Sequence, residues 1–206
     1  MEIQLIFGPN SSGKSLYAET LATTYHPCPL FYIATMIPHT EENFSRIEKH
    51  KLQRAGKGFT TIEESWNIDQ LNIPSDAVVL LEDASNLLAN GIFNHQKNAS
   101  ECFEKIIALA NQCKKLIIVS ITGLTCGDYD DATNDYITQL NTLNEQLKTI
   151  ATDCKQFSQQ TADCRLNLHH ACLPIRFQNC HRFDNSKSLW MHYSSCCSGY
   201  IYSHLL

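Results

Sequence analysis

Gly8 to Ser15 reads GPNSSGKS, with small residues, one lysine and one hydroxyl in the spacing G-x-x-x-x-G-K-[ST]. Glycines let successive backbone N–H groups curl round an anion, and the start of a following helix adds partial positive charge. In such a loop Gly8, Pro9, Asn10, Ser11, Ser12 and Gly13 wrap the phosphates of a nucleotide. Lys14 neutralises β and γ oxygens, and the Ser15 hydroxyl ligates Mg²⁺. Lys14 is expected exposed at the helix start rather than in the core. The competing reading is a chance Gly/Ser turn, so the motif counts only between a strand and a helix.

The flanking sequence supplies that context. IQLIF (3–7) reads as a buried strand, and SLYAETLA (15–22) opens a helix with apolar residues at helical spacing. Further buried strands are expected at 30–35, 77–82 and 115–121, with a short extended piece at 59–64. Helical patterns cover 41–54, 99–113 and 131–151, the first polar and hence exposed. Continuous apolar strands alternating with helices predict an α/β P-loop NTPase domain, a mainly parallel RecA-like sheet flanked by helices. The expected ligands are ATP or GTP with Mg²⁺.

The chain has 206 residues, enough for one sizeable core, and its net charge of -5 offers no broad basic field for nucleic acid. No stretch has the length and apolarity of a membrane span. No export signal is apparent, so a cytoplasmic protein is expected, with its ten cysteines as free thiols or metal ligands rather than disulfides. Charge is uneven. Residues 1–154 carry 11 Lys/Arg and 19 Asp/Glu; residues 155–206 carry 5 and 2. The division expected is therefore a P-loop domain at 1–154 and a Cys/His-rich extension at 155–206. Cys164, Cys172 and Cys180 recur every eight residues near His169, His170 and His181, but zinc sites usually show C-x₂₋₄-C pairs. The plainer reading is a divergent extension or a frameshifted terminus.

A second constellation lies in YIATMIPHTEENFSRIEKHKLQRAGKGFTTIEE. On a helix, Arg46 and Arg54 stand at i−4 and i+4 of His50, gathering three basic groups on one face, with Lys51 adjacent in sequence. Taken alone, such a segment is an ordinary solvated helix. Its motifs resemble the adenosylcobinamide kinase / adenosylcobinamide-phosphate guanylyltransferase family of cobalamin biosynthesis. Tyr32, Ile33, Ala34 and Thr35 match the family's Y-[IV]-A-T. Arg46, Ile47, His50, Lys51 and Arg54 match its R-I-x-x-H-[RK]-x-x-R. Phe59, Thr61 and Glu63 match its W-x-T-x-E, with Phe in place of Trp. Glu82 and Asn90 of LLEDASNLLAN correspond to a further block, and Asn144 to a later one.

The resemblance implies two reactions. ATP or GTP would phosphorylate adenosylcobinamide, and GMP from GTP would then pass to adenosylcobinamide phosphate. It makes His50 the nucleophile that carries GMP, Glu82 a magnesium holder or base (with Asp83 the alternative), and Arg46, Lys51 and Arg54 phosphate ligands. Glu63 becomes a contact for guanosine, and the protein a homo-oligomer, such as the trimers known in the family. The sequence also departs from the pattern. SITGLTCG lacks the family's acid after the strand, NDYIT lacks its arginines and aspartate, and CKQFSQQTADCRLNLHHACL shows no closing apolar strand. These departures leave a second reading: a degenerate nucleotide-binding module with a regulatory or scaffolding role. A third is another P-loop ATPase, of mismatch-repair or ABC ancestry, although no LSGGQ-like segment is present.

Overall fold

The computed structural model describes residues 2–158, so the cysteines and histidines of the expected Cys/His-rich extension lie outside the described residues. Six strands form one sheet: β1 (Glu2–Gly8), β2 (Leu30–Ala34), β3 (Phe59–Glu63), β4 (Val78–Glu82), β5 (Lys115–Ile121) and β6 (Asp153–Gln156). Their order is β3-β2-β4-β5-β1-β6, and every pairing is parallel. The helices are α1 (Lys14–Thr23), α2 (Glu41–Arg54), α3 (Ala84–His95), α4 (Ala99–Ala110) and α5 (Asp131–Ile150).

Alternation along the strands divides the core into two layers. β1 turns Ile6 to one face and Ile3, Leu5 and Phe7 to the other. On the Ile6 face Ala18 and Ala22 of α1 pack over Tyr32, Val78, Leu80, Ile117 and Val119. Two alanines let this helix lie close to the sheet. The opposite face is thicker: Leu87 and Leu88 of α3, Ile106 and Leu109 of α4, and Leu140, Leu143 and Leu147 of α5 cover it. Each such leucine or isoleucine, fully buried, contributes about 1.5–3 kcal/mol. α2 belongs to neither layer. Arg54 is its one buried residue.

β6 corrects an expectation, because the sequence after the last helix shows no closing apolar strand. DCKQ is exposed at each position and has no apolar alternation. It is a strand because β1 has a free edge. Gln4 to Phe7 pair with Asp153 to Gln156, Phe157 N donates to Phe7 O at 2.8 Å, and Gln4 Nε2 donates to Asp153 Oδ2 at 2.8 Å. An edge strand held by backbone bonds can be polar on both faces. The boundary expected at residue 154 cuts through it.

All six strands point the same way, so their carboxyl ends share one rim. Thr35 N donates to Glu82 O at 3.0 Å and Thr122 N to Gly8 O at 3.1 Å, tying neighbouring strand exits together. In α/β sheets this rim is where ligands bind.

Candidate active site

The loop after β1 occupies that rim. Ser11 (φ 58°) and Gly13 (φ 89°) are left-handed, so the chain reverses tightly before α1. Gly13 caps α1 without a side-chain bond, and no acid stands in the first turn, which leaves N–H groups and a positive helix end for an anion. Gly8 is required by contact. A Cβ there would lie 2.6 Å from Phe157 O and 2.8 Å from Phe157 Cβ. The Phe157 ring in turn meets Tyr17 edge-on at 5.5 Å.

Lys14 departs from expectation. It is buried rather than exposed, and its Nζ donates to Pro9 O at 2.6 Å. Burial lowers its pKa from the usual lysine value; Asp83 and Glu82 oppose that shift and Arg46 adds to it. The loop thus folds back over its own lysine. Ser12 Oγ is buried with no partner.

Ser15 Oγ donates to Glu82 Oε1 at 2.6 Å, while Glu82 Oε2 is buried without a partner. Burial, reinforced by the neighbouring Asp83 charge, pushes the Glu82 carboxyl up to about 8 against the Ser15 hydrogen bond. The two acids at the end of β4 have different surroundings. Asp83 Oδ1 accepts from Asn86 N and Ser85 Oγ, both at 2.6 Å, and so caps α3. Asp83 N donates to Thr35 Oγ1 at 2.9 Å, and Asn90 Nδ2 donates to Thr35 O at 2.8 Å and Ser65 O at 3.0 Å. Thr35 and Asn90 therefore clamp the exits of β2 and β4. Asn144 does the same for β5, accepting from Ser120 Oγ at 2.6 Å and donating to Ile121 O at 2.9 Å.

α2 starts at Thr40, whose hydroxyl accepts from Asn43 N, and it ends with Lys51 and Arg54 in the last turn, as the helix dipole favours. His50 is half-buried, and its Nδ1 is enclosed with no hydrogen-bond partner. Burial holds the imidazole below its ordinary pKa; Arg46 and Arg54 push the same way, Glu19 and Asp83 the other. The expected trio separates into two environments. Arg46 is exposed, whereas Arg54 is buried, its guanidinium 4.3 Å from the Tyr32 ring centre and its Nε donating to Thr61 Oγ1 at 3.0 Å. Lys51 and Glu63 lie at the exposed rim, 3.8 Å apart, and Lys51 also reaches Glu48 at 3.3 Å.

The sequence reading missed Glu19. It sits one turn past Ser15 on α1, fully buried, accepting from Gln53 Nε2 at 3.0 Å and Lys57 Nζ at 2.6 Å. Nothing in SLYAET distinguishes it from a solvated helix acid. The signal that was available was its i+4 spacing from Ser15 on a helix whose alanines face the sheet. Among the described residues no cluster of His, Cys, Asp or Glu could hold a metal by itself, and Cys28, Cys102, Cys113, Cys126 and Cys154 are free.

An all-parallel sheet with the glycine loop between β1 and α1 and an acid ending β4 defines the chain as an α/β P-loop NTPase fold. Residues 4–162 match the family described as cobinamide kinase / cobinamide phosphate guanyltransferase, and the chain belongs to that family. It is accordingly a transferase of cobalamin biosynthesis, with kinase and guanylyltransferase activity. No curated protein gives a significant match. Among solved structures, the flagellar accessory protein FlaH from Methanocaldococcus jannaschii is similar at 14% identity and a TM-score of 0.42, over 75% of this chain and 70% of that one. A second solved structure, an isolated ATPase domain, is similar at 9% identity and a TM-score of 0.41, over 70% of this chain and 66% of that one. No described helix is long and apolar enough to cross a membrane.

Proposed function

We propose that the two activities share the rim of the sheet and divide the residues between them. For phosphorylation of adenosylcobinamide, the loop from Gly8 to Ser15 holds the phosphates of ATP or GTP. Lys14, released from Pro9 O, turns its ammonium to the β and γ oxygens. Phosphoryl transfer needs positioning and charge neutralisation more than covalent chemistry, and a buried lysine supplies charge that water screens little. For the second reaction the imidazole of His50 takes GMP from GTP and passes it to adenosylcobinamide phosphate. A ring nitrogen lone pair forms the bond to the α-phosphorus, the bond to the bridging oxygen breaks, and pyrophosphate leaves.

Mg²⁺ fits the donors at the loop. Ser15 Oγ and the carboxylate of Glu82 are hard oxygens of the kind it takes, and Glu82 Oε2 is a buried acceptor with no partner. When bound, the ion would neutralise charge on the phosphates. Arg46 and Lys51 meet phosphate at the open side of α2, and Glu63 meets guanosine. Arg54, stacked on Tyr32, supports His50 through its charge. A homo-oligomer, trimers included, and a cytoplasmic location belong to this reading through the family alone.

The observation that carries the proposal is a bridge between the two halves: Glu19, on the helix that opens with Lys14 and Ser15, accepts from Gln53 and Lys57 at the end of the His50 helix. Arg46 acts on Lys14 as well as on His50, and so does Asp83. Family membership over 4–162 weighs for an enzyme rather than a degenerate module. The test is incubation with α-labelled GTP and Mg²⁺, followed by denaturing electrophoresis. A labelled band that is stable to alkali, labile to acid and missing in His50→Asn is the expected result. Label that persists in His50→Asn removes the histidine from the role, and an unlabelled parent that binds GTP tightly favours the degenerate module.

A further inference from the structure

α2 is almost detached from the hydrophobic layers, yet the position of His50 depends on it. Its last turn is fastened by Arg54, against Tyr32 and Thr61, and by Glu19. Both oxygens of this carboxylate are taken by donors from the α2 side: Oε1 by Gln53 Nε2 at 3.0 Å, and Oε2 by Lys57 Nζ at 2.6 Å. Gln53 lies on the last turn of α2, three residues from His50, and Lys57 on the turn that leaves it. Glu19 itself lies on α1, whose first residues are Lys14 and Ser15. A fully buried carboxylate is costly unless paired, so a helix acid serving only solubility would not sit there. α1 thus grips the phosphate loop at one end and the His50 helix one turn later.

We propose that Glu19 is a positioning residue for guanylyl transfer: its carboxylate clamps Gln53 and Lys57 and so fixes His50 against the phosphate loop. The proposal rests on His50 as the GMP acceptor. Its consequence is selective. Kinase chemistry uses α1 and β4, which do not need α2, whereas attack on the α-phosphorus requires α2 in register with the loop. Glu19 also places negative charge near His50, beside Arg46 and Arg54 from α2 and Asp83 from the cap of α3. An imidazole that gains positive charge on attacking phosphorus is stabilised by that carboxylate.

Glu19→Gln tests the idea, since the amide keeps one acceptor oxygen and turns an NH2 donor toward the other of the two donors. Single-turnover adduct formation from α-labelled GTP at saturating concentration should fall about tenfold or more, as small misplacements of reacting groups do. Phosphorylation of adenosylcobinamide should stay within about twofold, while GTP affinity falls by less than adduct formation does, since Arg46 and Lys51 of α2 also meet phosphate. The acid limb of adduct formation should move to lower pH, because a group raising the proton affinity of His50 is gone. Hydrogen exchange should quicken in α2 and not in α1. If Glu19→Gln does not fold, Lys57→Met is read by adduct rate, kinase activity and exchange in α2, without the downward shift of the acid limb, because Glu19 keeps its charge. Adduct formation at the parent rate, a parallel loss of both activities, or an unmoved acid limb in Glu19→Gln overturns the proposal. A parent that never forms the adduct refutes the His50 reading instead, and exchange in α2 then still decides whether the clamp exists.

Discussion

Ser15 Oγ and Glu82 Oε1 stand 2.6 Å apart, joining the first turn of α1 to the end of β4 across 67 residues of sequence. The bond aligns the loop with the sheet through side chains and leaves one carboxylate oxygen, Oε2, enclosed and unpaired. This pair sets the first prediction.

Glu82 has an ordinary carboxyl pKa of 4.5 when unfolded and about 8 when folded. Between those values the native state binds the extra proton, so stability is greatest below 4.5 and is lost as pH rises through 8. Glu82→Gln is neutral throughout. Without nucleotide and with chelator, it should match the parent near pH 5 and exceed it by about 1–3 kcal/mol near pH 8.5 in urea unfolding. Parallel pH curves for the two proteins would contradict the assignment.

Lys14→Ala removes the one ammonium inside the loop. Turnover on adenosylcobinamide should fall at least about a hundredfold, in line with losing a charge aimed at the transferring phosphoryl group. The thermal midpoint should change by only a few degrees, since the lost bond is to a loop carbonyl, Pro9 O. Parent-like turnover would show that another group neutralises the phosphates.

His50 is held below its ordinary 6.5, chiefly by burial. Neutral imidazole is the nucleophile, so kcat/KM for adduct formation should remain level as pH falls to 6.5 and drop only below it. An acid limb centred above 6.5 would place the limiting proton elsewhere.

Gly8→Ala should act at a distance. Its Cβ must displace Phe157 backbone at 2.6 Å, so β6 shifts and stability falls by about 1–3 kcal/mol, with weaker GTP binding. Gly127→Ala meets only the Tyr129 ring at 3.6 Å and should stay within about 0.5 kcal/mol. Equal effects of the two substitutions would dissociate Phe157 from the loop.

Much of this arrangement could be read from the chain. Buried parallel strands are uniformly apolar, so AVVLLE and KLIIVSI announce themselves, and a loop that must bend twice into left-handed backbone needs its glycine. The helix over 41–54 was legible as a polar, charged segment with sparse apolar positions. What escaped depends on partners distant in sequence. Lys14 is buried because Pro9 O folds onto it, Glu19 because residues 53 and 57 return to it, and Arg54 because Tyr32 lies beneath it. β6 escaped because backbone pairing alone makes it a strand, and polar residues at an exposed edge leave no pattern.

The pairing of β6 with β1 also bears on how the protein is made. β1 leaves the ribosome long before β6, yet Ile3 bonds Thr152, 149 residues later, and Phe157 packs directly on Gly8. While the intervening residues are translated, an apolar strand therefore has a bare edge, the kind of surface that recruits other nascent chains. Arrival of β6 closes that edge, and among the described residues it substitutes an outer border bearing Asp153 and Lys155. A phosphate loop translated ahead of α1 thus gains its Phe157 backing at Gly8 only once β6 follows.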